Sequence, residues 1–190
     1  MPTRNPCASS SRKTSISVFG REKSVSDEEG IIQACLKMLD DFKGKLLEIQ
    51  PTDFKEYVNN YFIHKTAERL LETAIEACLD MGRHLIAREG FRYPEDNKEV
   101  FRVLAEEKVI SADLLARLED MAGFRNVLVH GYARIDHSRV YAILQTDLGD
   151  FDEFARAIVA YLNRPIVEEG QTVRQRRATY AVRRKRPAPK

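Results

Sequence analysis

The chain has 190 residues, and 43% of them are hydrophobic, which is enough for one packed domain of ordinary size. The formal net charge of +2 hides a segregation of charge: residues 25–170 hold 28 acidic and 18 basic side chains, and residues 171–190 hold eight basic and no acidic ones. With no bilayer-length apolar run, no secretory signal and three cysteines in no disulfide or zinc spacing, the sequence predicts a cytoplasmic protein that does not enter a membrane.

The two chain ends are predicted to lie outside the folded domain. Residues 1–25 form a Ser-rich basic leader that we expect to be disordered, although organelle transit peptides share this composition. Residues 168–190 form a basic tail with too few apolar side chains to offset the entropy of ordering it. The folded domain is therefore predicted to cover residues 26–167.

The first two predicted helices carry the periodicity of one buried face. Residues 26–29 have the S-x-x-E spacing of a capping box, which predicts a helix start with Ser26 as the cap. Apolar residues then recur every three or four positions as far as Ile49. A second helical pattern, the longest in the chain, runs from Phe54 to Ala87.

Three further helical segments complete the predicted fold. A short one covers residues 97–107, the next has Ser111 as N-cap and ends at Gly131, and the last has Asp136 as N-cap and is broken near residues 148–150. No strand alternation of useful length appears. Five helical segments with short connections predict an all-α, up-and-down bundle of four to five helices.

The candidate catalytic segment is the end of the fourth helical pattern. Four polar residues interrupt its apolar stretch: Arg125, Asn126, His130 and Tyr132. Phosphate-loop, dinucleotide, zinc-protease and serine-hydrolase motifs are all absent. A guanidinium stabilises charge on phosphate oxygens and an imidazole moves protons near neutral pH, so the pair suits attack on a phosphodiester. RNA supplies its own nucleophile, the 2′-hydroxyl, and such a reaction requires no metal or cofactor.

Helical geometry complicates this interpretation. At 100° per residue, Arg125 and His130 point about 140° apart, whereas Arg125 and Tyr132 are nearly aligned. Convergence requires the helix to unwind near Gly131 or the site to be shared with a second copy, which predicts a homodimer. The structural alternative is that Arg125 pairs with an acid, His130 favours the helix C-terminus and Tyr132 packs.

The same segment closely resembles the R-x4-H-x-Y motif of HepT-like proteins of the HEPN superfamily, here Arg125, His130 and Tyr132, with Asn126 matching the usual R-N opening. The resemblance covers roughly residues 28–163. It implies a helical bundle in which Arg125 and His130 are the ribonuclease residues. Phosphate chemistry, rather than the resemblance, assigns Asn126 to the non-bridging oxygens beside Arg125. The resemblance also implies a dimer with its cleft at the interface.

The resemblance further implies a toxin whose partner is a minimal nucleotidyltransferase antitoxin that transfers AMP to Tyr132. Added phosphates there would block an RNA cleft by like charge and bulk. The acidic body is an awkward surface for RNA, and the basic ends are expected to compensate, although a merely solubilising tail fits equally well. One alternative is a non-catalytic module that binds a nucleotide or a nucleotidyltransferase, and another is a helical scaffold whose tail recruits nucleic acid.

Four further polar residues receive minor assignments. Asp80 and His84 stand four residues apart on one helix, so Asp80 either forms a surface ion pair or orients a catalytic group as an auxiliary residue. His64 and His137 are not expected to join a set of metal ligands. The sequence therefore predicts no metal site.

Overall fold

A computed structural model of the protein describes residues 25–130 and 135–164, with side chains from residue 30 onward. These residues form helices and no strand, so the all-α prediction is confirmed. None of the described helices is long and apolar enough to cross a membrane. The helices are α1 (Val25–Ile49), α2 (Phe54–Asn59), α3 (Tyr61–Glu89), α4 (Asn97–Glu106), α5 (Ala112–His130), α6 (His137–Thr146) and α7 (Gly149–Leu162).

The predicted single helix from Phe54 to Ala87 is wrong, because Asn60 divides it into α2 and α3. The backbone of Asn60 is extended, and its side-chain oxygen accepts hydrogen bonds from the backbone amides of Phe62 and Ile63. Asn is among the strongest N-cap residues, since its side chain satisfies amides that a new helix leaves unpaired. Because the apolar periodicity continues through this break, the sequence pattern did not indicate it.

The other predicted helix ends are close to the observed ones. Ser111 accepts a hydrogen bond from the amide of Leu114 at 3.2 Å, and Asp136 accepts one from the amide of Ser138 at 2.9 Å, as expected of N-caps. The predicted break near residues 148–150 separates α6 from α7. At the start of the domain, α1 begins one residue before Ser26, so Ser26 lies inside the helix.

Helix α3 is the centre of the bundle and contacts each of the other six described helices. At Gly82 the close approach of α4 requires glycine, because an added Cβ would lie 2.5 Å from a methyl carbon of Val100. Phe101 of α4 packs edge-on against Phe154 of α7, with ring centroids 5.7 Å apart. Burial of these apolar faces is the main stabilising term of the fold.

Ion pairs hold α7 against two earlier helices, α1 and α5. Lys43 of α1 pairs with Asp152 of α7 at 2.6 Å, and Arg117 of α5 pairs with Asp150 at 2.7 Å.

The predicted leader and basic tail lie outside the described residues. Gly131 and Tyr132 also lie outside them, between α5 and α6.

Candidate functional site

The end of α5 carries three of the predicted site residues on a regular helix. The helix continues without interruption to His130, its last described residue. Asn126 and His130 are both exposed, and because they stand four positions apart they share one helical face. Val127 lies beside them with 40% of its surface exposed. This exposed α5 face, formed by Asn126, Val127 and His130, points away from the core.

Arg125 lies on the flank of that face and is turned towards α3. Its Nη2 is 2.9 Å from Oε2 of Glu76, and 23% of its side chain is exposed. Its Nε is buried without a hydrogen-bond partner. A guanidinium has five donors, so the pairing with Glu76 orients the group and leaves donors uncommitted. An unpaired buried donor is costly, and such groups tend to occur where a ligand binds.

Glu76 is shared between two arginines. Arg83 approaches the other carboxylate oxygen of Glu76 at 3.2 Å and pairs with Asp80 at 2.8 Å. It also donates to the side-chain oxygen of Asn97 of α4 at 2.7 Å. Asp80, the predicted auxiliary residue, is thus linked to Arg125 through two intervening side chains rather than by direct contact.

The structure does not bring Arg125 and His130 together within one chain. Among the described residues, the recorded ion-pair partner of Arg125 is Glu76, and no hydrogen bond joins it to His130. Because α5 stays helical, the two side chains keep the separation of about 140° that helical geometry imposes. The structural alternative is correct that Arg125 pairs with an acid and that His130 ends a helix. Neither fact removes these groups from solvent.

His64 and His137, for which the sequence offered no reason to expect a common site, lie close together beside Glu68. His64 and Glu68 lie one turn apart on α3, and His137 is the first residue of α6. One ligand atom from each residue lies within 4.8 Å of the other two. We refer to His64, Glu68 and His137 as the α3–α6 cluster. His64 and Glu68 are buried, and His137 is half-buried.

The two buried cysteines are excluded as nucleophiles. Cys35 of α1 and Cys78 of α3 are free thiols in the core. Burial raises the pKa of both thiols, and the charge of Asp80 raises that of Cys35 further. A thiol that stays protonated at neutral pH is a poor nucleophile. Neither buried thiol is therefore a candidate for the chemistry of the site.

Sequence reasoning missed the partners of Arg125 and the α3–α6 cluster for different reasons. Glu76, Asp80 and Arg83 follow helical spacing along one face of α3, so their pairing with each other was readable from the sequence. The contact between Glu76 and Arg125 of α5 was not readable from the sequence. His64 and His137 are 73 positions apart in the sequence, and only the packing of α6 on α3 brings them together.

Comparison with known proteins identifies relatives across most of the chain. A model of the family described as ribonuclease HepT-like matches residues 31–158. The mRNA nuclease HepT of Shewanella oneidensis is 26% identical over 129 residues, covering 68% of this chain and 91% of that protein. The tRNA nuclease HepT of Aphanizomenon flos-aquae is 24% identical over 135 residues, covering 71% of this chain and 92% of that protein.

A solved structure supports the same fold. It is the tri-AMPylated HEPN toxin of Shewanella oneidensis in complex with an MNT antitoxin. The alignment has a TM-score of 0.55 and 24% sequence identity, and it covers 72% of this chain and 96% of that one. At this identity the likeness establishes the shared helical architecture.

Proposed function

The chain belongs to the ribonuclease HepT-like family, and on that premise we propose that it is an RNA endonuclease and the toxin of a toxin–antitoxin pair. Two relatives, matched over 91% and 92% of their own length, are an mRNA nuclease and a tRNA nuclease, which supports RNA as the substrate class and leaves the kind of RNA open. Because the substrate is RNA and the described thiols are free, we place the protein in the cytoplasm.

The observation that carries this proposal is the state of Arg125. Its guanidinium is held by Glu76, partly exposed, and has a buried Nε donor without a partner. A phosphodiester offers two non-bridging oxygens that match the planar donor edge of arginine. Asn126, exposed on the adjoining face, is assigned to the same phosphate. An oriented guanidinium stabilises the charge that builds on those oxygens as the bond breaks.

His130 is assigned to proton transfer. A base removes the proton of the 2′-hydroxyl, the 2′-oxygen bonds to phosphorus, and the bond from phosphorus to the 5′-oxygen breaks. A proton then passes to the leaving 5′-oxygen. The products are a 2′,3′-cyclic phosphate and a 5′-hydroxyl end. Imidazole suits these transfers because its ordinary pKa lies close to neutral pH.

We further propose that the working unit is a homodimer. Arg125 and His130 point in different directions along a regular α5, so one chain does not place both on a single phosphate. Pairing two exposed α5 faces across a two-fold axis would supply Arg125 and His130 from both copies. Val127, an exposed apolar side chain between the polar ones, suits such a contact.

Neutralisation by a nucleotidyltransferase antitoxin completes the proposal. The related Shewanella oneidensis toxin is AMPylated in its complex with an MNT antitoxin. By the motif, Tyr132 is the acceptor in this chain, two residues after His130. Each added AMP brings negative phosphate beside the cleavage residues, and like charge would repel the RNA backbone.

The decisive experiment compares wild-type protein with His130→Ala and Arg125→Ala on RNA in the presence of EDTA. We expect wild type to leave 2′,3′-cyclic phosphate ends. Each variant should cut at least 100-fold more slowly, because His130→Ala removes the proton-transfer group and Arg125→Ala removes the group that stabilises charge on the phosphate. Both side chains are partly or fully exposed, so the melting temperature should change by only a few degrees.

The matched control is Arg69→Ala, which removes an exposed arginine whose recorded ion pair, with Glu72, also lies on α3. It should cut RNA at the wild-type rate. Unchanged cleavage in His130→Ala would contradict the nuclease assignment and favour a non-catalytic binding module. The melting temperature of each protein is measured in the same EDTA buffer. If wild type loses cleavage in EDTA, this measurement shows whether the protein has unfolded or a metal ion is needed for the reaction.

A further inference from the structure

The α3–α6 cluster lies apart from the residues assigned to RNA cleavage. Glu68 precedes Glu76, the partner of Arg125, by eight residues, which is roughly 12 Å along a helix. His137 begins α6, beyond the segment that carries Tyr132. The rings of His64 and His137 are 4.4 Å apart between centroids, so the two imidazoles face each other across the helix junction.

The polar atoms of this cluster are buried without partners. Nδ1 of His64, Nδ1 of His137 and Oε1 of Glu68 each lack a hydrogen-bond partner and are shielded from solvent. Nδ1 of His137 lies 3.5 Å from Oε1 of Glu68. Buried polar groups in proteins are normally paired, because an unpaired one costs about 1–3 kcal/mol. Three such atoms, on residues whose ligand atoms lie within 4.8 Å of one another, indicate a missing common partner.

The spacing of these atoms suits a small cation. Ligand atoms no more than 4.8 Å apart leave a point that lies within about 2.8 Å of all three. Zinc bonds to histidine nitrogen and carboxylate oxygen are about 2.0–2.2 Å long, so each ligand needs to move inward by about 0.7 Å. The separation of 3.5 Å between His137 and Glu68 is already close to that of two ligands in a tetrahedral site.

We propose that His64, Glu68 and His137 together bind one divalent transition-metal ion of the zinc class. Two imidazoles and one carboxylate are the ligand types that Zn²⁺, Co²⁺ and Ni²⁺ accept, whereas Mg²⁺ and Ca²⁺ prefer oxygen ligands alone. The ion takes the place of a proton as the partner of the buried nitrogens.

Neighbouring side chains complete the proposed site. The second carboxylate oxygen of Glu68 accepts a hydrogen bond from Nζ of Lys65 at 2.7 Å, which fixes the orientation of the carboxylate. The ring of Tyr57 packs edge-on against both imidazoles, and its buried hydroxyl also has no partner.

The consequence of metal binding is a bond network between α3 and the start of α6. His137 stands five residues after Tyr132, so an ion at the α3–α6 cluster anchors the chain directly beyond the motif. Binding that favours the folded state raises its stability according to the ratio of free metal to Kd. The proposal thus makes a thermodynamic prediction that is independent of RNA cleavage.

The test uses the untagged full chain, stripped of metal with a chelator and then titrated with Zn²⁺. We expect one zinc per chain by elemental analysis, and a rise in Tm of roughly 5–10 °C at a free zinc concentration about 100 times Kd. His137→Gln and Glu68→Gln should bind at least 100-fold more weakly and lose the Tm shift. His84→Gln, a histidine 16 residues after Glu68 on α3, is the matched control and should bind as wild type does.

The Co²⁺-loaded wild type provides a measurement that does not depend on whether a variant folds. Intense visible absorption typical of low-coordinate cobalt with nitrogen ligands is expected. Absence of both that absorption and a zinc-dependent Tm shift in wild type would overturn the proposal. Equal zinc content in wild type and a folded His137→Gln would also overturn it, because the ion would then lie elsewhere.

Discussion

The exposed α5 face and the α3–α6 cluster each contain histidine and another polar side chain, yet their physical situations are opposite. Asn126 and His130 project from one regular helix into solvent, where water satisfies their polar atoms. His64 and Glu68 are buried, and the convergence of their atoms on His137 leaves three of them unpaired. An exposed set suits a large polyanion that arrives from solution, and a buried convergent set suits a small cation.

Replacing Arg125 on the flank of the exposed α5 face should have the largest effect on the rate of RNA cleavage. Arg125→Lys keeps the charge beside Glu76 but loses the planar pair of donors, so cleavage should fall about 10- to 100-fold. Arg83→Lys changes the other arginine on the same carboxylate and should reduce the rate by only a few-fold. Single-turnover rates with a defined RNA measure both. Equal rates for the two variants would mean that Arg125 acts only as a general positive charge.

The proposed pairing of α5 faces makes a second prediction. Val127→Lys places a charge in the expected interface, so the dimer dissociation constant should rise about ten-fold or more. Cleavage should fall with it, although an added cation by itself attracts RNA. Val159→Lys is the control, since Val159 on α7 is 38% exposed, similar to Val127 at 40%. Analytical ultracentrifugation gives the oligomeric state, and a Val127→Lys dimer as tight as wild type would exclude this interface.

Two tyrosines near the α3–α6 cluster provide a test of whether the hydroxyl of Tyr57 is unpaired. Tyr141 donates its hydroxyl to the backbone oxygen of Thr52 at 2.8 Å, so Tyr141→Phe should cost about 1 kcal/mol of unfolding free energy. The hydroxyl of Tyr57 has no partner, so Tyr57→Phe in the metal-free protein should be neutral or slightly stabilising. Urea denaturation in chelator compares them. A loss in Tyr57→Phe as large as that in Tyr141→Phe would mean that its hydroxyl is already paired.

Much of the fold was readable because helices leave local marks in a sequence. Ser111 and Asp136 were identified as N-caps from residue type alone, since a cap satisfies amides only two or three positions away. The break at Asn60 was missed because the apolar face of α2 and α3 continues across it, although the capping residue was visible. This missed break, together with the predicted one near residues 148–150, divides the five predicted segments into seven helices among the described residues.

The sequence by itself determined the all-helical class and the motif positions Arg125, Asn126 and His130, because these properties depend on residues within a few turns of one another. The tertiary structure alone decided that Glu76 pairs with Arg125 and that His64, Glu68 and His137 bring ligand atoms within 4.8 Å of one another. Such contacts join residues dozens of positions apart, and their distances follow from how α5 and α6 pack on α3. No local pattern encodes that packing, since it results from burial of the whole apolar core.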